Sequence, residues 1–234
     1  MLASKTKYTI LTANQSHLFS RKFNGKIWKT IPNTASEFLA IEVRNEDNHQ
    51  VTFYILDIMQ RIWLWEDVTF EEQWWINLHS FGDQELAFIY YEDGNSPDQK
   101  QMLKIDIHSQ KVLGDTEGSN EQKMIGNDVI PPLHYLANTA HFITVAKFLQ
   151  EKLNISPVKA VDYLERDGHI VISYYIWIND HLANFLLILD ENGEVQRHEL
   201  LANQLSSIGI DTFFIIRDAL FTIRQKSELL IYDF

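Results

Sequence analysis

The side chains best suited to chemistry in this chain are clustered tryptophans and a scatter of acids and imidazoles. Trp63, Trp65, Trp74 and Trp75 form the densest aromatic group. At an exposed loop rim such indoles stack on sugars, bases or peptide side chains. Trp74 and Trp75, with His79 on the same predicted strand and Glu92-Asp93 at a later hairpin corner, make the candidate binding set. The strand period of two puts Trp63 and Trp65 on one face and sends Trp74 and Trp75 to opposite faces. Packing between sheets is therefore the competing account of the same indoles.

Acidic residues gather at corners: Glu92-Asp93 and Glu165-Arg166-Asp167. Two carboxyls within roughly 5–9 Å would supply acid and base for glycoside hydrolysis. No spacing pairs any two of them, and Asp-Gly corners are ordinary turn chemistry. Asp57, Asp106, Asp190 and Asp233 recur at strand ends. They either line a channel or accept hydrogen bonds from the turn that follows, and the second is expected. The nine histidines lack the HxxxH or HxH spacing that sets two imidazoles on one metal. His134 and His141 flank a helix start and could approach each other.

The chain contains no cysteine, which excludes disulfides, thiolate nucleophiles and Cys-type metal centres. There is no GxSxG elbow, Ser173 sits inside an apolar strand, and neither GxGxxG nor GxxxxGK occurs. No catalytic residue, metal ligand or cofactor is therefore assigned.

A formal net charge of −12 opposes phosphate backbones, so nucleic acid is not an expected partner. The first residues, MLASKTKYTILTANQSH, lack the apolar core of a signal peptide, and no window approaches a membrane span. A soluble cytoplasmic protein, monomer or homodimer, with no membrane partner is the expectation.

The elements that must position these groups read as repeated hairpins. An apolar run ends near an acid, turns, and begins a second strand at 53–65, 103–114 and 186–200, with a truncated copy at 229–234 and a looser one at 18–31. Asn24-Gly25 and Asn192-Gly193 readily take the positive φ of tight hairpins. Upstream strands are predicted at 158–165 and 169–178, at 74–81 and 85–92, and at 211–218 and 220–226, with Gly, Asp or Asn at their corners. Four antiparallel strands with short connections make a propeller blade. The spacing predicts four units, with room for a degenerate fifth, in a single β-rich domain over 1–234. A sandwich or α+β arrangement of the same strands is the alternative.

The last unit lacks a fourth strand, which residues 7–13 or 26–31 could supply by pairing the chain ends and covering an open edge. The segment 115–132 reads as a loop. Residues 139–153 place Phe142, Val145, Ala146, Leu149 and Leu153 on one helical face, with Asn138 as N-cap and Asn154 and Pro157 marking the stop. This inserted helix is expected to plug one end of the sheets, or else to dock a partner.

GKIWKTIP and EFLAIEVRNED within 25–47, Trp74-Trp75 with Leu78, SPDQKQMLKIDI at 96–107, YLERDGHIVISYY at 163–175 and ANFLLILDENG at 183–193 together resemble an uncharacterised bacterial domain-of-unknown-function family with propeller-like strand order. Where such a family often carries a tryptophan after the LKIDI-type strand, this chain has KVLG. The resemblance implies a fold and no activity. With catalytic signatures missing, the expected function is a non-catalytic module that binds a protein or small-molecule ligand. The alternative is a hydrolase or lyase using strand-end carboxylates on a small or saccharide substrate.

Overall fold

The computed structural model describes residues 19–71, 74–91, 100–117, 128–209 and 212–233. β1 (Phe19–Lys22) precedes β2 (Lys26–Pro32), β3 (Phe38–Asn45), β4 (Gln50–Asp57) and β5 (Ile62–Val68). Then come β6 (Ile76–Phe81), β7 (Glu85–Tyr91), β8 (Lys100–Asp106) and β9 (Val112–Glu117). β10 (Val129–Ile130) and β11 (Leu133–Leu136) lead into the helix α1 (Ala140–Leu153). β12 (Val158–Arg166), β13 (His169–Ile178), β14 (His181–Leu189), β15 (Val195–Leu205), β16 (Phe213–Ile216), β17 (Ala219–Arg224) and β18 (Glu228–Asp233) complete the chain.

These strands form four antiparallel sheets: I (β2-β3-β4-β5), II (β6-β7-β8-β9), III (β11-β12-β13-β14-β15) and IV (β1-β18-β17-β16-β10). The expected mainly β, propeller-like repeat of hairpin units is thus what the chain builds. A two-sheet sandwich is not. β10 and β11 extend sheets IV and III to five strands instead of forming a fifth unit.

Three apolar clusters stack the sheets in the order II, I, IV, III. Ile55, Trp65, Phe81 and Phe88 join I to II; Leu39, Ile41, Phe221 and Ile231 join I to IV; Val171, Leu186, Phe213 and Leu230 join IV to III. Each such fully buried side chain contributes about 1.5–3 kcal/mol over its exposed state. The remaining face of sheet III is covered by α1 through Phe142, Val145 and Leu149. Among the described residues, no apolar cluster joins sheet II to sheet III. The helix therefore occupies the face on which a closing ring would seat another sheet.

The chain ends do pair, but through a different segment from those expected. β1 runs beside β18 with Phe19 opposite Ile231 and Lys22 opposite Glu228, completing sheet IV. Residues 26–31 belong to β2 of sheet I, and 7–13 lie outside the described residues. The hairpin reading of 18–31 fails for the same reason: Asn24-Gly25 carries the chain from one sheet to the next. There Gly25 has φ +151°, and a Cβ on it would sit 2.6 Å from the Arg44 carbonyl oxygen.

Other turns follow their residue types. Asp167 and Gly168 both take positive φ, the requirement of a two-residue hairpin. The 115–132 segment holds the β9 terminus and β10 where a loop was expected, while 118–127 lie outside the described residues. Trp63 and Trp65 are on opposite faces, contrary to the period of two. β4 and β5 slip register between the Ile55–Trp65 and Leu56–Trp63 pairs, and the extra residue, Leu64, reverses the alternation. Trp65 is buried between sheets I and II, whereas Trp63 packs toward sheet IV. The cap of α1 is Thr139, whose Oγ1 accepts from the Phe142 amide at 3.3 Å. Asn138 instead takes a left-handed φ of 73°, which asparagine tolerates. Asn154 ends the helix as expected, with φ 55° and its amide bonded to the Gln150 carbonyl.

Candidate functional site

An apolar recess lies where α1 crosses sheet III. His141, Thr144, Val145 and Phe148 recur at i, i+3, i+4 and i+7, so one stripe of the helix forms a wall. Tyr163 on β12 and Ile170 and Ile172 on β13 share one sheet face through the period of two and form the floor. Tyr135 on the edge strand β11 closes the side, its ring stacked on His141 with centroids 4.8 Å apart and planes at 23°. The recess has a volume of about 310 Å³.

Its polar groups sit at the edge. The Tyr163 hydroxyl donates to Glu165 Oε2 at 3.0 Å. Burial, together with that carboxylate, pushes the hydroxyl up to about 12, so it stays protonated and remains a donor at neutral pH. Thr144 returns its hydroxyl to the Ala140 carbonyl at 3.1 Å. Among the described residues, no lysine or arginine lines the recess. Lys147, beside Phe148, is turned to solvent and pairs with Glu151 at 3.8 Å.

A second group of polar residues is buried between sheets III and IV. Asp162, 1% exposed, approaches His134 Nδ1 at 2.6 Å and accepts from Thr212 Oγ1 at 2.7 Å. Ser173 pairs with Asp162 across β12 and β13, and its hydroxyl accepts from Asn184 at 2.8 Å. The Tyr175 hydroxyl donates to the Gly209 carbonyl and accepts from the Gly209 amide at 2.9 Å. Here the carboxylate orients a partly exposed histidine and ties two sheets together. His134 and His141 are not brought together, because adjacent residues of β11 and β12 face opposite sides of sheet III.

The recurrent aspartates are turn acceptors, as expected, in three cases. Asp57 accepts from the Gln60 amide, Asp106 from the Ser109 amide and hydroxyl, and Asp190 from the Asn192 and Glu194 amides. Those hydrogen bonds hold the Asp106 and Asp190 carboxyls below the usual range. Asp233 pairs instead with Arg61, at 3.1 Å. Among the described residues, no group of three His, Asp or Glu could hold a metal ion.

Of the predicted binding set, Trp74 packs against the cluster between sheets I and II. Its ring lies 5.2 Å from the Arg44 guanidinium, which also meets the exposed Trp28 at 5.4 Å. Trp75 is half exposed, and His79 sits at a register slip of β6. Glu92 and Asp93 lie outside the described residues. Sequence reasoning missed Tyr135, Tyr163 and Phe148. Tyr163 was legible as a strand residue facing the same way as Val161, but no local signal pointed to Tyr135.

A second, more polar cavity is lined by Asp128, Ile130, Arg166, Arg217 and Asp218. Its two arginines are engaged by protein groups: Arg217 donates to the Ser36 and Ala35 carbonyls, and Arg166 to Asp167.

The four sheets define a propeller-like β protein. A model for a domain of unknown function (DUF4905) matches residues 33–114, which reach from the end of β2 into β9. No curated protein matches the chain. Among solved structures, the chain is similar at 12% identity to the β-propeller domain of the Trilobed protease from Pyrococcus furiosus, over 89% of this chain and 55% of that one, with a TM-score of 0.30. It is similar at 12% identity to Pyrococcus horikoshii acylaminoacyl peptidase, over 89% and 31%, with a TM-score of 0.31. BamB from Moraxella catarrhalis matches at 12% identity over 97% and 62%, with a TM-score of 0.22. The chain therefore spans between 31% and 62% of the length of these proteins. No described helix is long and apolar enough to cross a membrane.

Proposed function

We propose that this protein is a non-catalytic binding module whose ligand is a small molecule with an apolar body, seated between α1 and sheet III. One observation carries the reading: a recess of about 310 Å³ lined mainly by aromatic and aliphatic side chains, with His141 and Thr144 the polar members of its helical wall. The strand-end carboxylates that a hydrolase would need are engaged in turns or paired with Arg61, which supports binding over hydrolysis. The net charge of −12 still argues against nucleic acid as partner.

A fragment screen by ligand-observed NMR tests this, comparing the protein with Val145→Trp, which fills the recess. Hits that vanish in the filled variant support the site. Hits that bind both forms equally, or no hits at all, reject it.

A further inference from the structure

Besides the His141 imidazole stacked on Tyr135, three aromatic rings line the recess from three different elements: Tyr135 from β11, Phe148 from α1 and Tyr163 from β12. Aromatic faces carry negative electrostatic potential, and a cation enclosed by several gains from each. The Glu165 carboxylate stands at the rim, fixed by the Tyr163 hydroxyl at 3.0 Å and otherwise exposed. Among the described residues no lysine or arginine lines it, His141 is stacked on Tyr135, and Lys147 is paired with Glu151. A neutral apolar ligand would use the walls and leave the carboxylate idle. An anion would meet Glu165 and the ring faces unfavourably. A bulky, weakly hydrated organic cation uses both.

Resting on the reading of the recess as a ligand site, we propose that its ligand class is an alkylammonium, and best a quaternary ammonium, held by the three rings with Glu165 as counter-ion. The apolar floor of Ile170 and Ile172 receives the methyl groups, which an inorganic cation lacks. The excess of acidic residues over the whole chain adds attraction for such a ligand.

The test is an NMR titration of the full chain with choline and with neohexanol, its uncharged carbon isostere. Choline should bind roughly 2- to 30-fold more tightly and shift resonances of Tyr163 and Phe148. Glu165→Gln, a change at an exposed rim, should weaken choline several-fold and leave neohexanol unaffected. Equal binding of the two probes overturns the cation assignment and leaves the recess as an apolar site. If neither probe shifts the recess, both readings fall. A choline preference unchanged in Glu165→Gln and in Phe148→Ala places the cation elsewhere and overturns the proposal.

Discussion

His134 Nδ1 lies 2.6 Å from the Oδ1 of Asp162, a carboxylate that is 1% exposed and also accepts from Thr212, the residue just before β16 of the neighbouring sheet. The pair thus fastens the edge of sheet III to sheet IV. Removing the carboxylate leaves a histidine and a hydroxyl facing an empty buried site. Asp162→Ala should lower unfolding free energy by about 3 kcal/mol, and His134→Ala, at a partly exposed partner, by only about 1 kcal/mol. Urea denaturation of the two variants measures the difference, and equal losses would contradict this ranking.

Arg44 makes the corresponding tie between sheets I and II. Its guanidinium pairs with the buried Glu42 at 2.7 Å and donates to the Trp74 and Ile76 carbonyls and to Asn77. Glu42 in turn accepts from the Leu78 amide at 2.8 Å. Arg44→Met strands that carboxylate and should cost about 3–5 kcal/mol. Trp28→Ala removes only an exposed cation–π face and should cost about 1 kcal/mol or less. Chemical denaturation separates the two.

Two glycines with positive φ should respond differently to alanine. At Gly25 the added Cβ meets the Arg44 carbonyl oxygen at 2.6 Å, backbone that cannot swing aside. At Gly193, φ is 74° and nothing lies within 4 Å. Gly193→Ala should cost about 1 kcal/mol from backbone strain alone, and Gly25→Ala at least about twice that. Thermal melts compare them.

Burial holds the His198 imidazole below its ordinary 6.5, with the Tyr174 hydroxyl 2.5 Å from Nε2. A group depressed in the folded state gives stability that is complete above the unfolded value and lost progressively as pH falls from there through the folded value. The urea midpoint should therefore begin to drop below pH 6.5, well above the ordinary carboxylate range of about pH 4. His198→Gln keeps an acceptor for Tyr174 and should flatten that part of the profile. An unchanged profile assigns the drop to other groups.

Much of the architecture was legible locally. Arg166-Asp167-Gly168 turns where its residues demand positive φ, and the α1 stripe of Phe142, Val145 and Leu149 is the buried one. Three of the four recurrent aspartates bind the turn that follows them. Such features depend on interactions within a few residues. The candidate site was barely legible, since Tyr135, Phe148 and Tyr163 belong to separate elements and meet only when α1 docks.

By itself the sequence determined the hairpins, the helix and the alternation that gives each sheet its apolar faces, because φ preferences and side-chain periodicity act over short range. Tertiary structure alone decided that Asn24-Gly25 crosses between sheets and that Trp63 and Trp65 part at a register slip. It also decided that β1 completes sheet IV and that α1 covers the free face of sheet III. Those outcomes depend on which apolar faces meet across long stretches of chain. Several pairings satisfy the same local pattern, and only the packing of the whole selects among them.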